Sequence, residues 1–241
     1  MAVLCREQKL LYICIPKTGS TSISTYLMNE LDGEWIPKES IIDENGMITV
    51  DKKHSKIKEL LNANLINKEK LSSLTVFATV RNPFDMVVSN YFFEKQIYDT
   101  YKFGIWKRML LGAKVYFFLR KKLHIDKNNV YSWIMPQAKR YMFTVSHSFE
   151  EYAAKFYSQK SENMYLDYTR GADTMFLKLE NIKEELEHLF FQIGVKKEVK
   201  LPHLSKSHMK RKEYQNYYTD AAKKIVEHSF KDELERFGYQ F

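Results

Sequence analysis

The chain has 241 residues, 44% apolar and 15% aromatic, enough to bury one substantial core and too few for two, so a single domain over residues 1–241 is expected. Lysine and arginine number 38 against 30 aspartates and glutamates, a net charge of +8, which favours anionic partners: nucleic acid, acidic polysaccharide, anionic lipid headgroups or a phosphorylated nucleotide. With 8 Gly, 5 Pro and 2 Cys and no repeating period, a linker, a low-complexity array and a disulfide-built scaffold are all set aside.

The first apolar run, Leu10 to Ile15, has six residues, too short for a signal-peptide core or a membrane span. With Cys5 and Cys14 as the only thiols, the expected setting is a reducing cytoplasm. Lys9 to Pro16 is short, nearly all apolar and rich in β-formers, which reads as a strand buried on both faces. Ile23, Leu27 and Leu31 then recur at helical spacing. A loop is expected near residues 32–53. Leu74 to Val80 reads as a second buried strand, followed by an Asn82 cap, a first-turn Pro83 and a helical stripe of Val87, Val88, Tyr91 and Phe92. A third strand is expected over Thr174 to Leu179, then a helix carrying Ile182, Leu186, Leu189 and Phe190, and a second loop near 196–213. Strand-then-helix units in series predict an α/β fold: a central parallel sheet flanked by helices, with ligands at the carboxyl ends of the strands.

Two of those strand ends carry chemistry. The first runs into Pro16-Lys17-Thr18-Gly19-Ser20-Thr21-Ser22 as a helix opens. Such a turn aims backbone N–H groups and the positive end of a helix dipole at one spot, with a lysine and several hydroxyls around it, and so forms an anion cradle. It is P-loop-like in its strand-loop-helix logic but is not the nucleotide-triphosphate loop, because Lys17 precedes the only glycine of the turn and the Gly-Lys-Ser/Thr pattern is missing. An ordinary polar turn capping a helix is the plainer reading of the segment alone. The second strand ends in Arg81-Asn82-Pro83-Phe84-Asp85, with Ser89 eight residues after Arg81. An arginine leaving a strand and a serine one to two turns into the next helix can converge on one phosphate. Taken singly, Arg81 could equally be a structural ion-pair partner.

These residues resemble the 3′-phosphoadenosine 5′-phosphosulfate (PAPS)-dependent sulfotransferases, in particular the branch of Golgi-type carbohydrate sulfotransferases and their bacterial counterparts. Residues 16–22 look like that family's loop for the 5′-phosphosulfate, and Arg81 through Ser89-Asn90-Tyr91 looks like its 3′-phosphate site, so that Arg81 and Ser89 carry over as the 3′-phosphate ligands. The resemblance extends to Phe176-Leu177-Lys178-Leu179-Glu180-Asn181-Ile182 and to Phe237-Gly238-Tyr239-Gln240-Phe241, and departs at Met86, where the family commonly has arginine. It implies PAPS as sulfuryl donor and 3′,5′-ADP as product, with no metal and a glycan or glycolipid hydroxyl, or an amine, as acceptor.

The mechanism implied is in-line transfer in which a lysine does what magnesium does for ATP. Lys17 neutralises charge on the bridging oxygen, and Thr18, Gly19, Ser20, Thr21 and Ser22 hold the oxygens. In similar carbohydrate sulfotransferases a histidine lies between the two phosphate motifs, and His54 is the only histidine of this chain in that interval, which makes it the candidate base; Asp51 and Glu94 are the carboxylate alternatives. Lys206 and Ser207, in a basic segment of the kind many sulfotransferases close over the nucleotide, are further donor-site candidates, or part of a solvated charge run. In residues 101–124, Lys107, Lys114 and Lys121 would form a basic stripe beside apolar bulk if helical, suited to a peripheral membrane or anionic-acceptor contact, unless the apolar face simply packs inward. The rival functions are a phosphate-loop small-molecule kinase and a non-catalytic module binding polyanions; nucleic acid is not the expected partner.

Overall fold

In the computed structural model, which describes residues 2–44, 48–52, 54–100, 139–159, 163–202 and 212–241, the chain forms two compact units. The first is drawn from residues 1–86, 161–208 and 232–240, the second from 87–160, 209–231 and Phe241. In chain order the elements are β1 (Ala2–Cys5), β2 (Leu10–Ile13), α1 (Ser20–Glu30), β3 (Glu34–Ile36), β4 (Ile41–Ile42), β5 (Ile48–Val50), α2 (Ile57–Asn62), α3 (Lys68–Ser72) and β6 (Thr75–Val80). There follow α4 over 83–100, α5 over 139–146, α6 (Phe149–Tyr157), α7 (Met164–Thr169), β7 (Thr174–Lys178), α8 (Ile182–Gln192), α9 (Asp220–Ser229) and α10 (Lys231–Phe237), with single 3-10 turns at Leu179–Asn181 and Tyr214–Tyr217.

The first unit is a five-stranded sheet in the order β3-β1-β2-β6-β7. Its β2, β6 and β7 are the three strands read from the sequence, and they run parallel. The sheet as a whole is mixed rather than parallel throughout, because β1 pairs antiparallel with both β2 and β3. The reason is local: residues 6–9 turn tightly, Lys9 takes a left-handed φ of 49°, and its N–H donates to Arg6 O at 3.2 Å, so the apolar runs on either side zip together. Within the expected 32–53 loop the chain adds β3 and the β4–β5 ribbon.

Strand alternation sorts the core into two layers. Val3, Cys5, Leu10, Tyr12, Phe77 and Leu177 face one side and pack with Ile23, Tyr26 and Leu27 of α1 and Leu186, Leu189 and Phe190 of α8. There Tyr26 stacks on Phe190 with ring centroids 6.0 Å apart. Ala2, Leu4, Leu11, Ile13, Val76, Ala78 and Val80 face the other side with α2, α3 and Tyr165 of α7. Each fully buried aliphatic side chain of this kind contributes about 1.5–3 kcal/mol relative to exposure. Both faces are covered, as the unbroken apolar character of β2 and β6 requires.

The second unit is helical. Glu94 of α4 is buried and accepts from Arg140 Nε at 2.8 Å, Tyr152 Oη at 2.9 Å and Thr144 Oγ1 at 2.8 Å. Tyr91 packs edge-on against Phe149, and Tyr217 against Phe92. No helix among the described residues is long and apolar enough to cross a membrane.

Cys5 and Cys14 are free and fully buried, and burial pushes each thiol up to about 12. At pH 8 such a thiol is thiolate on the order of 10⁻⁴ of the time, against roughly a quarter for an ordinary cysteine. Ellman's reagent added at pH 8 is therefore expected to leave both cysteines unlabelled in the native protein and to titrate both in denaturant; rapid native labelling would contradict this burial.

Candidate active site

Because β2, β6 and β7 are parallel and in register, with Ile13 beside Ala78 and Val80 beside Lys178, the turns that follow them emerge side by side on one edge of the sheet. The turn after β2 is held from beneath. Thr18 is fully buried, its Oγ1 lying 2.9 Å from Ile15 O and 2.8 Å from Thr79 Oγ1. Thr79 Oγ1 in turn lies 2.9 Å from Thr18 O and from the Tyr12 hydroxyl, and burial keeps that phenol well above its ordinary range, so it stays a donor. The Thr18 hydroxyl expected among the ligand contacts is thus spent anchoring the loop, and what Thr18 can offer an anion is its backbone.

Above that anchor the loop adopts an uncommon shape. Lys17 has φ 65° and Gly19 φ 78°; for a residue with a Cβ the left-handed region costs roughly 1–2 kcal/mol, a cost the Lys9 turn carries as well. Gly19 is needed twice, since a Cβ there would also stand 2.5 Å from Leu179 Cδ1. Gly19 is the N-cap of α1, brings no side chain to accept from the first N–H groups, and no acidic residue sits in the first turn. The amides and positive dipole end of an 11-residue helix are left facing the loop with no acidic counterweight of their own. Lys17 and Ser22 are half-buried and Thr21 is exposed, while Ser20 is buried.

The turn after β6 is tied to the first. Arg81 NH1 donates to Lys17 O at 3.0 Å, and its Nε donates to Asp85 Oδ2 at 2.8 Å, with NH2 2.6 Å from the same oxygen. The guanidinium has five N–H donors, more than these contacts use. Burial lowers its pKa, while the nearby Glu180 opposes that shift, so the group remains a cation. Arg81 thus has the ion-pair partner of a structural arginine and also reaches the turn after β2. Its backbone is satisfied by one phenol, since Arg81 N–H donates to Tyr165 Oη at 3.3 Å and Tyr165 Oη donates to Arg81 O at 3.2 Å. The Asn82 cap is as expected, its Oδ1 accepting from Phe84 N at 3.0 Å. Met86, where the family commonly has arginine, is buried with its sulfur 3.9 Å from Tyr165 Oη.

His54 arrives at the same edge. Its Nδ1 lies 3.3 Å from Cys14 O, one residue beyond β2. A carbonyl oxygen can only accept, so Nδ1 donates in this contact. The approach is fixed by Ser55, which is fully buried and donates to Asp51 O at 2.6 Å. Of the carboxylate alternatives, Glu94 already accepts from three donors in the second unit.

Ser89 lies half-buried on α4, in the second unit. Lys206, Ser207 and the 101–124 stripe of Lys107, Lys114 and Lys121 lie outside the described residues. Tyr165, which supports the Arg81–Asn82 turn, had no local sequence signal, and Glu180 stood out only as part of a family-like segment with no role attached; topology brings both there. A family model described as the sulfotransferase family matches residues 1–240. The chain belongs to the sulfotransferase family. Searches among curated proteins and solved structures found no match. This enzyme is accordingly a PAPS-dependent sulfotransferase with the P-loop-like α/β fold of that family.

Proposed function

We propose that the enzyme moves the sulfuryl group of PAPS onto a hydroxyl, or an amine, of a glycan or glycolipid, using the edge formed by the turns after β2 and β6. The observation that carries this reading is the Arg81 to Lys17 hydrogen bond of 3.0 Å, which couples two anion-suited turns at adjacent strand ends with His54 tied beside them. The donor set suits phosphate and sulfate oxygens: backbone amides at a helix start, a lysine, a guanidinium and hydroxyls. On this reading residues 17–22 hold the 5′-phosphosulfate, and Arg81 with Ser89 holds the 3′-phosphate. When bound, the donor supplies an activated sulfuryl group whose leaving oxygen gains charge during transfer. Lys17 offsets that charge without a metal ion. His54 Nε2 takes the proton of the acceptor hydroxyl as the oxygen attacks in line.

Lys206 and Ser207 remain assigned to the nucleotide, and residues 101–124 to a peripheral contact at the cytoplasmic face of a membrane; free buried cysteines support a reducing setting.

Titration calorimetry with 3′,5′-ADP, ATP with magnesium, and a mixed oligonucleotide tests the donor assignment: 3′,5′-ADP is expected to bind tightest, whereas preference for ATP would favour a kinase and preference for the oligonucleotide a polyanion module. Incubation with labelled PAPS and fractionated extract is expected to place label in glycan or glycolipid fractions; label confined to other small molecules would overturn the acceptor class.

A further inference from the structure

Two segments of family-like sequence, around residues 176–182 and 237–241, have no role in the mechanism above, yet they meet at the donor edge. The single 3-10 turn that follows β7, Leu179–Asn181, stands between the two anion turns and touches both. Leu179 occupies the space beside Gly19, with Cδ1 2.5 Å from where a Cβ would stand. Glu180 Oε1 accepts from Asn82 N at 2.7 Å, and its Oε2 accepts from the Tyr239 hydroxyl at 2.9 Å. The chain beyond α10 completes the ring, because Asn82 Nδ2 donates to Gln240 O at 2.9 Å. Tyr239 also lies beneath the Lys178 ammonium, 5.1 Å from ring centre to Nζ. Burial and then Glu180 push the Tyr239 phenol well above its ordinary range, so the hydroxyl stays a donor.

A carboxylate so near a phosphate site is electrostatically unfavourable for an anionic ligand, so its presence calls for an offsetting role. We propose that Glu180 is a positioning residue for PAPS: with Leu179 on one side and Tyr239 and Gln240 on the other, it fixes the distance between the 5′-phosphosulfate loop and the Arg81–Asn82 turn. Recognition of the donor's 3′-phosphate therefore depends on this spacer as well as on Arg81. The inference rests on the donor assignment made above. Its signature is selective. Loss of the spacer leaves the Thr18–Thr79 anchor of the 5′ loop in place and chiefly misplaces the 3′ end.

The test compares 3′,5′-ADP with 5′-AMP by calorimetry, below the melting temperature measured for each variant. Wild type is expected to prefer 3′,5′-ADP strongly. Glu180→Ala is expected to weaken 3′,5′-ADP about 10-fold, the scale of leaving a buried amide without its partner, while 5′-AMP changes less than about 2-fold. Glu180→Gln keeps an acceptor for Asn82 N and is expected to restore most of the preference, which a purely electrostatic role for the carboxylate would not do. An unchanged ratio in Glu180→Ala, or equal losses for both nucleotides, would overturn the spacer role. If Glu180→Ala does not fold, Tyr239→Phe decides: a preference lowered about 3-fold or more supports the spacer, and an unchanged one overturns it. A wild-type enzyme with no preference for 3′,5′-ADP over 5′-AMP would instead remove the donor assignment, and the spacer with it.

Discussion

Lys17→Ala is expected to lower kcat by about 10²–10³ while the KM for PAPS changes little, the range seen when one preorganised group that stabilises developing charge is removed. Arg81→Ala is expected to differ in kind, raising the KM for PAPS by about 10-fold or more, because its contact with the 3′-phosphate persists from ground state to transition state. The structure adds a second component. Arg81 also supports Lys17 O, so its loss loosens the loop that presents Lys17, and a smaller drop in kcat should accompany the rise in KM. The 2.6 Å ion pair with Asp85 would be lost as well, and a lowered melting temperature is expected from breaking it. Steady-state kinetics at saturating acceptor separates the two variants; equal kcat losses with unchanged KM in both would contradict the division of labour.

His54→Ala is expected to cut turnover by about 10²-fold or more with 3′,5′-ADP affinity near wild type, since general-base contributions run to about 10²–10⁴. The geometry sharpens this expectation. Cys14 O holds the Nδ1 side of the ring, so on the proposed mechanism the proton passes to Nε2, and a side chain of similar length without a basic nitrogen, as in His54→Gln, should be as inactive as alanine. Single-turnover rates with preloaded PAPS isolate the chemical step. Near-normal turnover in both variants would remove His54 from the mechanism and turn attention to Asp51 or Glu94.

The parallel strands, their helices and the two turns between them were legible because each is written locally: an apolar run, then a polar turn with Gly19 or Pro83, then a helical stripe. What escaped was set by pairing across distance. The Ala2–Cys5 strand is four residues followed by Arg-Glu-Gln-Lys, with none of the Asn-Gly or Gly turn signals that mark hairpins. Two short apolar runs separated by four polar residues were the available clue, and it makes the sheet mixed. Thr18 was read as a ligand hydroxyl because composition cannot tell which way a side chain turns; its burial against Thr79 depends on a strand 61 residues away in sequence. Tyr165 and Glu180 reach the Arg81–Asn82 turn from 84 and 98 residues beyond it, separations at which no periodicity carries information.

Those same separations make assembly of the donor edge a late event in folding. The β1–β2 hairpin closes over a four-residue turn, but β7 must find β6 across a span of about a hundred residues, for which loop closure alone costs on the order of 4 kcal/mol before any contact is regained. Until then β6 presents an unpaired parallel edge, and the Asn82 amide waits for a carboxylate 98 residues downstream. Chain collapse and helix formation can run ahead of that pairing, since both draw on near neighbours. The arrangement of the Arg81–Asn82 turn is thus a property of the finished topology, since Glu180 and Gln240 reach it from 98 and 158 residues away.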